Sequence, residues 1–418
     1  MKFKTYPSYK DSGVEWLGEV SDSWNIKKLK YLAKIKNGQD QKQVLIEEGG
    51  YPIYGSGGEF GRASKYLYNQ KTVLLGRKGT IDKPLFIQEP FWTVDTMYYT
   101  KIFDSVFPKF FFYQCVTIEF NYYQFGSTVP SMTQESLHNN YFAVPNFEDQ
   151  VTIANFLDRE THRIDDLVEE KNHFIELLKE KRQALISHVV TKGLDPTVKM
   201  KDSGVEWLGE VPDHWKVTPL KHQCSLLKDG THLPPQRVEC GVPLLSVRNI
   251  TDGKLCLRDD DSMISEESYQ NLCRSFIPFQ NDVLLAVVGA TIGKTALVPF
   301  DFGRFHIQRS VAIFRPSARV ECKWLNFVFQ SQPFQQLLWE YAGYSAQPGI
   351  YLGTLANFRL PIPPIPQQID IINFLDNQTT KIDALITETQ NSIALLKEHR
   401  TALISAAVTG KIDVREVA

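Results

Sequence analysis

At 418 residues the chain exceeds one ordinary domain, and its 43% hydrophobic and 22% charged content is that of a globular protein able to bury proper cores. The formal net charge of −2 excludes a uniformly basic nucleic-acid binder, so any such role must rest on local charge. No stretch approaches the ~18 consecutive apolar residues of a membrane span. Cys115, Cys224, Cys240, Cys256, Cys273 and Cys322 show neither Cys-x-x-Cys nor finger spacing, which reads as free thiols in a reducing cytoplasm.

The first element in chain order is a motif that returns. Lys10–Trp24 reads KDSGVEWLGEVSDSW and Lys201–Trp215 reads KDSGVEWLGEVPDHW, differing only at Ser21/Pro212 and Ser23/His214. Chance does not produce that, and internal repetition takes precedence over every other signal.

The next segment, 25–149, has little likeness to its counterpart 216–367. Both carry proline and glycine punctuation that predicts short strands and loops in a mixed α/β domain. Lys71–Ile87 (KTVLLGRKGTIDKPLFI) and Asp282–Val298 (DVLLAVVGATIGKTALV) each predict strand, glycine turn, strand. Both variable segments are slightly basic. Their candidate phosphate-facing cations are Lys27, Lys28, Lys30, Arg62, Arg77 and Lys78 in the first, and Arg248, Lys294, Arg304 and Arg309 in the second. Arginine and glutamine can also make bidentate contacts to base edges, which singles out Arg77, Gln308 and Arg309.

Long helices follow. Residues 150–195 align without gaps on 368–413, sharing NFLD, LLKE and ALIS. Leu157, Ile164, Leu178 and Leu185 fall seven apart with a gap at Lys171. Leu375, Ile382, Leu396 and Leu403 repeat this with the gap at Thr389. Leu167, Phe174 and Leu385 lie on the adjoining stripe of a coiled-coil-like seam. Pro145 and PIPPIP precede the helices, and Gly193 and Gly410 mark their far ends. A helix of about 40 residues spans roughly 60 Å.

The sequence carries no catalytic signature. VGATIGKT at 288–295 has three residues, not four, between Gly289 and the Gly293–Lys294 pair, so it predicts a strand-joining turn rather than a phosphate loop. There is no dinucleotide fingerprint, no zinc-protease motif, no nucleophile elbow and no amino-methyltransferase sequence. His188, His214 and His306 are isolated. A self-sufficient nuclease or methyltransferase and a pure protein scaffold remain as alternatives to a DNA reader.

DSGVEWLGEVPDHW, the closing NFLD…KID…LLKEHRTALISAAVTG, and GSTVPSMTQESLHNNYFAVPNFEDQ at 126–150 together resemble the specificity (S) subunits of type I restriction–modification systems, over nearly the whole chain. The counterpart GYSAQPGIYLGTLANFRLPIPPIPQQ at 343–368 departs from that pattern in lacking the Val-Pro core. The resemblance implies an α+β architecture: two mixed α/β target-recognition domains separated by two long antiparallel coiled-coil-like helices, in a pseudo-two-fold internal repeat. The expected segments are 1–149, 150–200, 201–367 and 368–418. Each recognition domain would read one half of a bipartite sequence in double-stranded DNA. The helices would set the spacer and dock two methyltransferase (M) subunits, with restriction (R) subunits joining the full complex and no membrane involved. S-adenosylmethionine, ATP and magnesium are expected on those partners, and no cofactor, metal or catalytic residue on this cytoplasmic chain.

The expected DNA contacts are Arg62, Gly76, Arg77, Lys78, Gly79, Thr80, Ser127, Thr128 and Ser131 in the first domain. In the second they are Arg248, Gly289, Thr291, Lys294, Gln308, Arg309, Ser345 and Gln347. Phe156, Leu157, Phe374 and Leu375 are expected to meet protein partners.

Overall fold

The duplicated motif folds alike at both occurrences. In the computed structural model, which describes residues 3–120, 130–233, 235–342 and 348–416, Tyr9–Asp11 pairs antiparallel with Glu19–Ser21, and Met200–Asp202 with Glu210–Pro212. The Asp11 carboxylate accepts the Gly13 N–H and Asp202 that of Gly204, each at 2.9 Å. Gly13 and Gly204 have φ of +67° and +66°, which only glycine adopts without strain. Each hairpin delivers a tryptophan, Trp24 or Trp215, into a core. A Cβ on Gly410 would lie 3.3 Å from the Trp24 ring, and one on Gly193 would lie 3.3 Å from that of Trp215. The duplicated motif is thus a plug on a helix end, and its near-identity reflects that shared packing task.

The helices run over Phe147–Lys192 and Ile365–Val408. The first is capped by Asn146, whose side chain accepts the Asp149 N–H at 2.8 Å. Both terminate at the expected glycines, Gly193 (φ +79°) and Gly410 (φ +73°). The seam residues Leu157, Ile164, Leu178, Leu375, Ile382 and Leu403 are buried, while Phe174 and Leu385 on the adjoining stripe are exposed.

The chain divides into two compact units, Met1–Lys171 with Gln390–Ala418, and Asn172–Thr389. This cuts across the four expected segments. Each unit takes the first half of one helix and the second half of the other, and the cuts after Lys171 and Thr389 fall at aligned positions of the repeat. In the first unit Asp165 meets Arg400 at 3.0 Å, and in the second Asp383 meets Arg182 at 3.1 Å. Asp165 aligns with Asp383 and Arg182 with Arg400, so the two ion pairs are one pair seen twice. Within each unit the helix halves lie antiparallel, as expected.

In the first unit the sheet Ala33–Asn37, Met97–Ile102, Thr72–Gly76, Leu85–Ile87 sits beside a second sheet containing the Tyr51–Gly55/Gly58–Ala63 hairpin. The second unit repeats this with Cys224–Asp229, Val311–Pro316, Val283–Ala286 and Thr295–Leu297 in one sheet. Its second sheet is built on Val242–Leu245. Both glycine-turn strand pairs read from the sequence are therefore present. The segments of Lys4 and Asp413 meet in the first unit in an antiparallel bridge, with the Asp413 N–H donating to the Lys4 carbonyl at 2.8 Å. At the aligned place in the second unit the backbone runs straight on from Gly193 to Met200. No helix among the described residues is long and apolar enough to cross a membrane.

Candidate nucleic-acid interface

Four backbone segments meet at one surface of the first recognition domain. Gly38 leaves its strand and donates to the Met97 carbonyl at 3.1 Å, and Gln39 donates to Thr93 at 2.8 Å. Arg77 donates to the Thr96 carbonyl at 2.9 Å, Gly79 to Pro130 at 3.0 Å, and Met132 back to Arg77 at 2.9 Å. The second domain makes the same bonds with other residues. Gly230 donates to Val311 at 3.1 Å, Thr231 to Ile307 at 3.1 Å, Val287 to Ser310 at 2.9 Å, Gly289 to Pro348 at 2.8 Å and Ile350 to Val287 at 3.0 Å. These bonds align Arg77 with Val287, Gly79 with Gly289, Asp95 with Arg309, Ser131 with Gly349 and Thr133 with Tyr351. A shared frame thus underlies segments whose sequences barely resemble each other.

The frame depends on close backbone approach. A Cβ on Gly38 would sit 1.9 Å from the Val94 carbonyl oxygen, and one on Gly230 would sit 2.2 Å from that of Ile307. Gly79 and Gly289 have φ of +85° and +96°. Gly76 is buried, and a Cβ there would lie 2.4 Å from Ile81 Cα, so it lets the turn fold back and offers nothing to a ligand.

Of the residues expected from sequence, Arg77, Lys78, Gly79, Thr80 and Ser131 are brought together, with Lys78 and Ser131 in a backbone bridge. Arg77 Nη1 donates to the Asp95 carbonyl at 3.2 Å and its guanidinium lies 5.9 Å from the Tyr98 ring centre. Burial pushes the Tyr98 hydroxyl pKa up, and Arg77 partly offsets this. Gly289, Thr291, Lys294, Gln308 and Arg309 likewise converge. Lys294 and Arg309 are exposed, whereas the Gln308 amide is turned to the Leu244 carbonyl at 3.3 Å.

Other expected contacts are engaged within the chain. Arg248 is held by Asp260 at 2.8 Å and Asp261 at 3.2 Å, so its charge is already met within the chain. Arg62 lies opposite Pro52 along its hairpin and pairs with Glu59 at 3.2 Å. Phe156, Leu157 and Leu375 are 2%, 0% and 0% exposed and Phe374 is half-buried, so these side chains join the helices to their own units and present no docking face. Arg304 is similarly engaged, by Glu266 at 2.9 Å. Ser127, Thr128, Ser345 and Gln347 lie outside the described residues.

Sequence reasoning passed over Asp95, Leu233 and Tyr351, all exposed at the rims of these frames. Only their equivalence in the frame exposes them, because nothing in their local sequence is distinctive. Among the described residues no cluster of three metal-ligating side chains occurs.

Two frames of one design, each carrying its own surface residues, define a protein built from two like domains. A model of the type I restriction modification DNA specificity domain matches residues 21–177 and again 212–395, and the chain belongs to that family. Among its relatives, the MjaVIII specificity subunit of Methanocaldococcus jannaschii is 22% identical, with 95% of each chain covered. The EcoBI specificity subunit of Escherichia coli is also 22% identical, over 97% of this chain and 90% of its own. The fold matches the HsdS subunit from Thermoanaerobacter tengcongensis at a TM-score of 0.51 (15% identity, 94% and 98% covered). It matches a chain from a type I R-M system, solved to explain complex assembly and conformational transition, at 0.71 (15% identity, 94% and 99% covered). The chain is a non-catalytic specificity subunit, and its work is sequence-specific DNA recognition.

Proposed function

We propose that each frame reads one half of a bipartite target in double-stranded DNA, through Arg77, Lys78, Thr80 and Ser131 in the first domain and Gly289–Lys294 and Arg309 in the second. The carrying observation is the matched set of backbone bonds, which puts different side chains at equivalent positions on two like platforms. Phosphate contacts would fix each platform on the duplex while base-edge contacts specify. Arg309→Ala is expected to relax one or two base positions in one half-site and leave the other half untouched. Changes in both halves, or in neither, would contradict the assignment.

The helices set the spacer and carry two methyltransferase subunits. Support comes from exposed leucines that also obey the repeat. In the second unit Leu177 and Leu385 are 47% and 44% exposed, and in the first Leu395 is 65% exposed with Leu167 half-buried. Leu177 aligns with Leu395 and Leu385 with Leu167, so the chain presents the same apolar pair twice, as two copies of one partner require. S-adenosylmethionine, ATP and magnesium belong to those methyltransferase subunits and to restriction subunits, within the cytoplasm. Leu177→Glu is expected to reduce the co-purified methyltransferase from two copies to one, and Leu177→Glu with Leu395→Glu to none. Native mass spectrometry reads the outcome, and two retained copies would sink the docking site.

A further inference from the structure

The two frames, alike in backbone, differ in surface chemistry. The exposed residues of the first, Lys78, Asp95, Ser131 and Thr133, all carry polar or charged side chains. In the second domain the same rim carries Leu233 and Tyr351, which are 84% and 85% exposed. Thr231 Oγ1 donates to the Leu233 carbonyl at 2.7 Å, and the Arg309 N–H donates to the Thr231 carbonyl at 3.1 Å, which ties Leu233 to the face. Tyr351 follows Ile350, whose N–H is bonded to Val287 in the same frame.

Neither side chain serves the fold. Thr133 caps its short helix by accepting the Ser136 N–H at 3.1 Å, whereas Tyr351 at the aligned position makes no side-chain cap bond. Tyrosine cannot cap as threonine does. A poor cap with a bare ring, and a bare leucine on the same frame, leave apolar surface in water on the proposed DNA-reading face. The apolar feature of a major groove is the thymine C5-methyl group.

We infer that the second recognition domain reads its half-site partly by apolar contact, with Leu233 and Tyr351 packed on thymine methyl groups, while the first relies on hydrogen bonds. This rests on the DNA-reading role of the two frames. The test uses the full chain with its methyltransferase subunit and duplexes carrying the mapped target. Replacing thymines of the second half-site with deoxyuridine removes the methyl groups alone. Each contacted methyl should cost about fourfold in affinity, the equivalent of one buried methylene, and the same exchange in the first half-site should cost nothing. Leu233→Ala and Tyr351→Ala should each lose part of that sensitivity at an unchanged melting temperature, because both residues are exposed. Undiminished sensitivity in both variants, no effect of deoxyuridine on the wild type, or a second half-site without thymine would overturn the inference. Those results leave the DNA-reading role intact. Its own failure would appear separately, as a wild-type complex that binds scrambled duplex as well as target.

Discussion

Gly38 and Gly230 are where one atom decides whether a recognition frame can form. A Cβ would meet a carbonyl oxygen at 1.9 Å or 2.2 Å, and backbone cannot yield as a flexible side chain does. Gly38→Ala and Gly230→Ala should each destabilise their unit by about 3 kcal/mol. Gly57→Ala, with nothing within 4 Å, should fall within about 0.5 kcal/mol of wild type; equal effects in a denaturation series would refute the close-approach account. His306 sets a pH dependence. Its ring is buried, 4.5 Å from the Phe276 ring and bonded to the Phe276 carbonyl at 3.3 Å, and burial lowers its pKa. The unfolded chain binds that proton near pH 6.5. The stabilisation is therefore complete above about 6.5 and is lost as pH falls below that value. The melting temperature should drop between pH 7.5 and 5.5, and His306→Leu should flatten that slope.

At the scale of elements, the aspartates of the two NFLD sequences tie recognition domain to helix. Asp158 accepts the Tyr113 hydroxyl at 2.6 Å and meets Lys109 at 3.1 Å, whereas Asp376 meets Lys323 at 2.6 Å with both side chains about half exposed. Asp158→Ala should cost about 2 kcal/mol, because a buried hydroxyl loses a charged acceptor. Asp376→Ala should cost less than about 1 kcal/mol, as solvent-screened pairs do. Urea unfolding of the two variants distinguishes them, and a larger loss at Asp376 would contradict the comparison. The helices and their seam were legible because the same apolar residues recur at the same spacing in both copies. The kinship of the recognition domains was not, since it lies in backbone bonds and in glycines such as Gly38 and Gly230 that local sequence does not distinguish. Arg248 looked free in the sequence because its acceptors, Asp260 and Asp261, lie a loop away. Leu233 and Tyr351 were not legible either, because a single exposed apolar residue in a loop leaves no periodic signal in the sequence.

In the whole molecule, each long helix runs through both units, and the Lys4 and Asp413 segments are bridged where the other copy is continuous. Adding seven residues to each helix, after Lys171 and after Thr389, preserves the apolar seam and lengthens each helix by about 10 Å. The spacer of the recognised sequence should then grow by about three base pairs with both half-sites unchanged, and an unaltered spacer would end the ruler account. The central claim, that two like frames in one chain read two different half-sites, is tested most directly by co-expressing the chain with its methyltransferase subunit and mapping methylated bases across the host genome. The account predicts one asymmetric motif of two specified halves around an unspecified spacer. A single contiguous motif, or a stable complex that leaves no sequence-specific methylation, would contradict it.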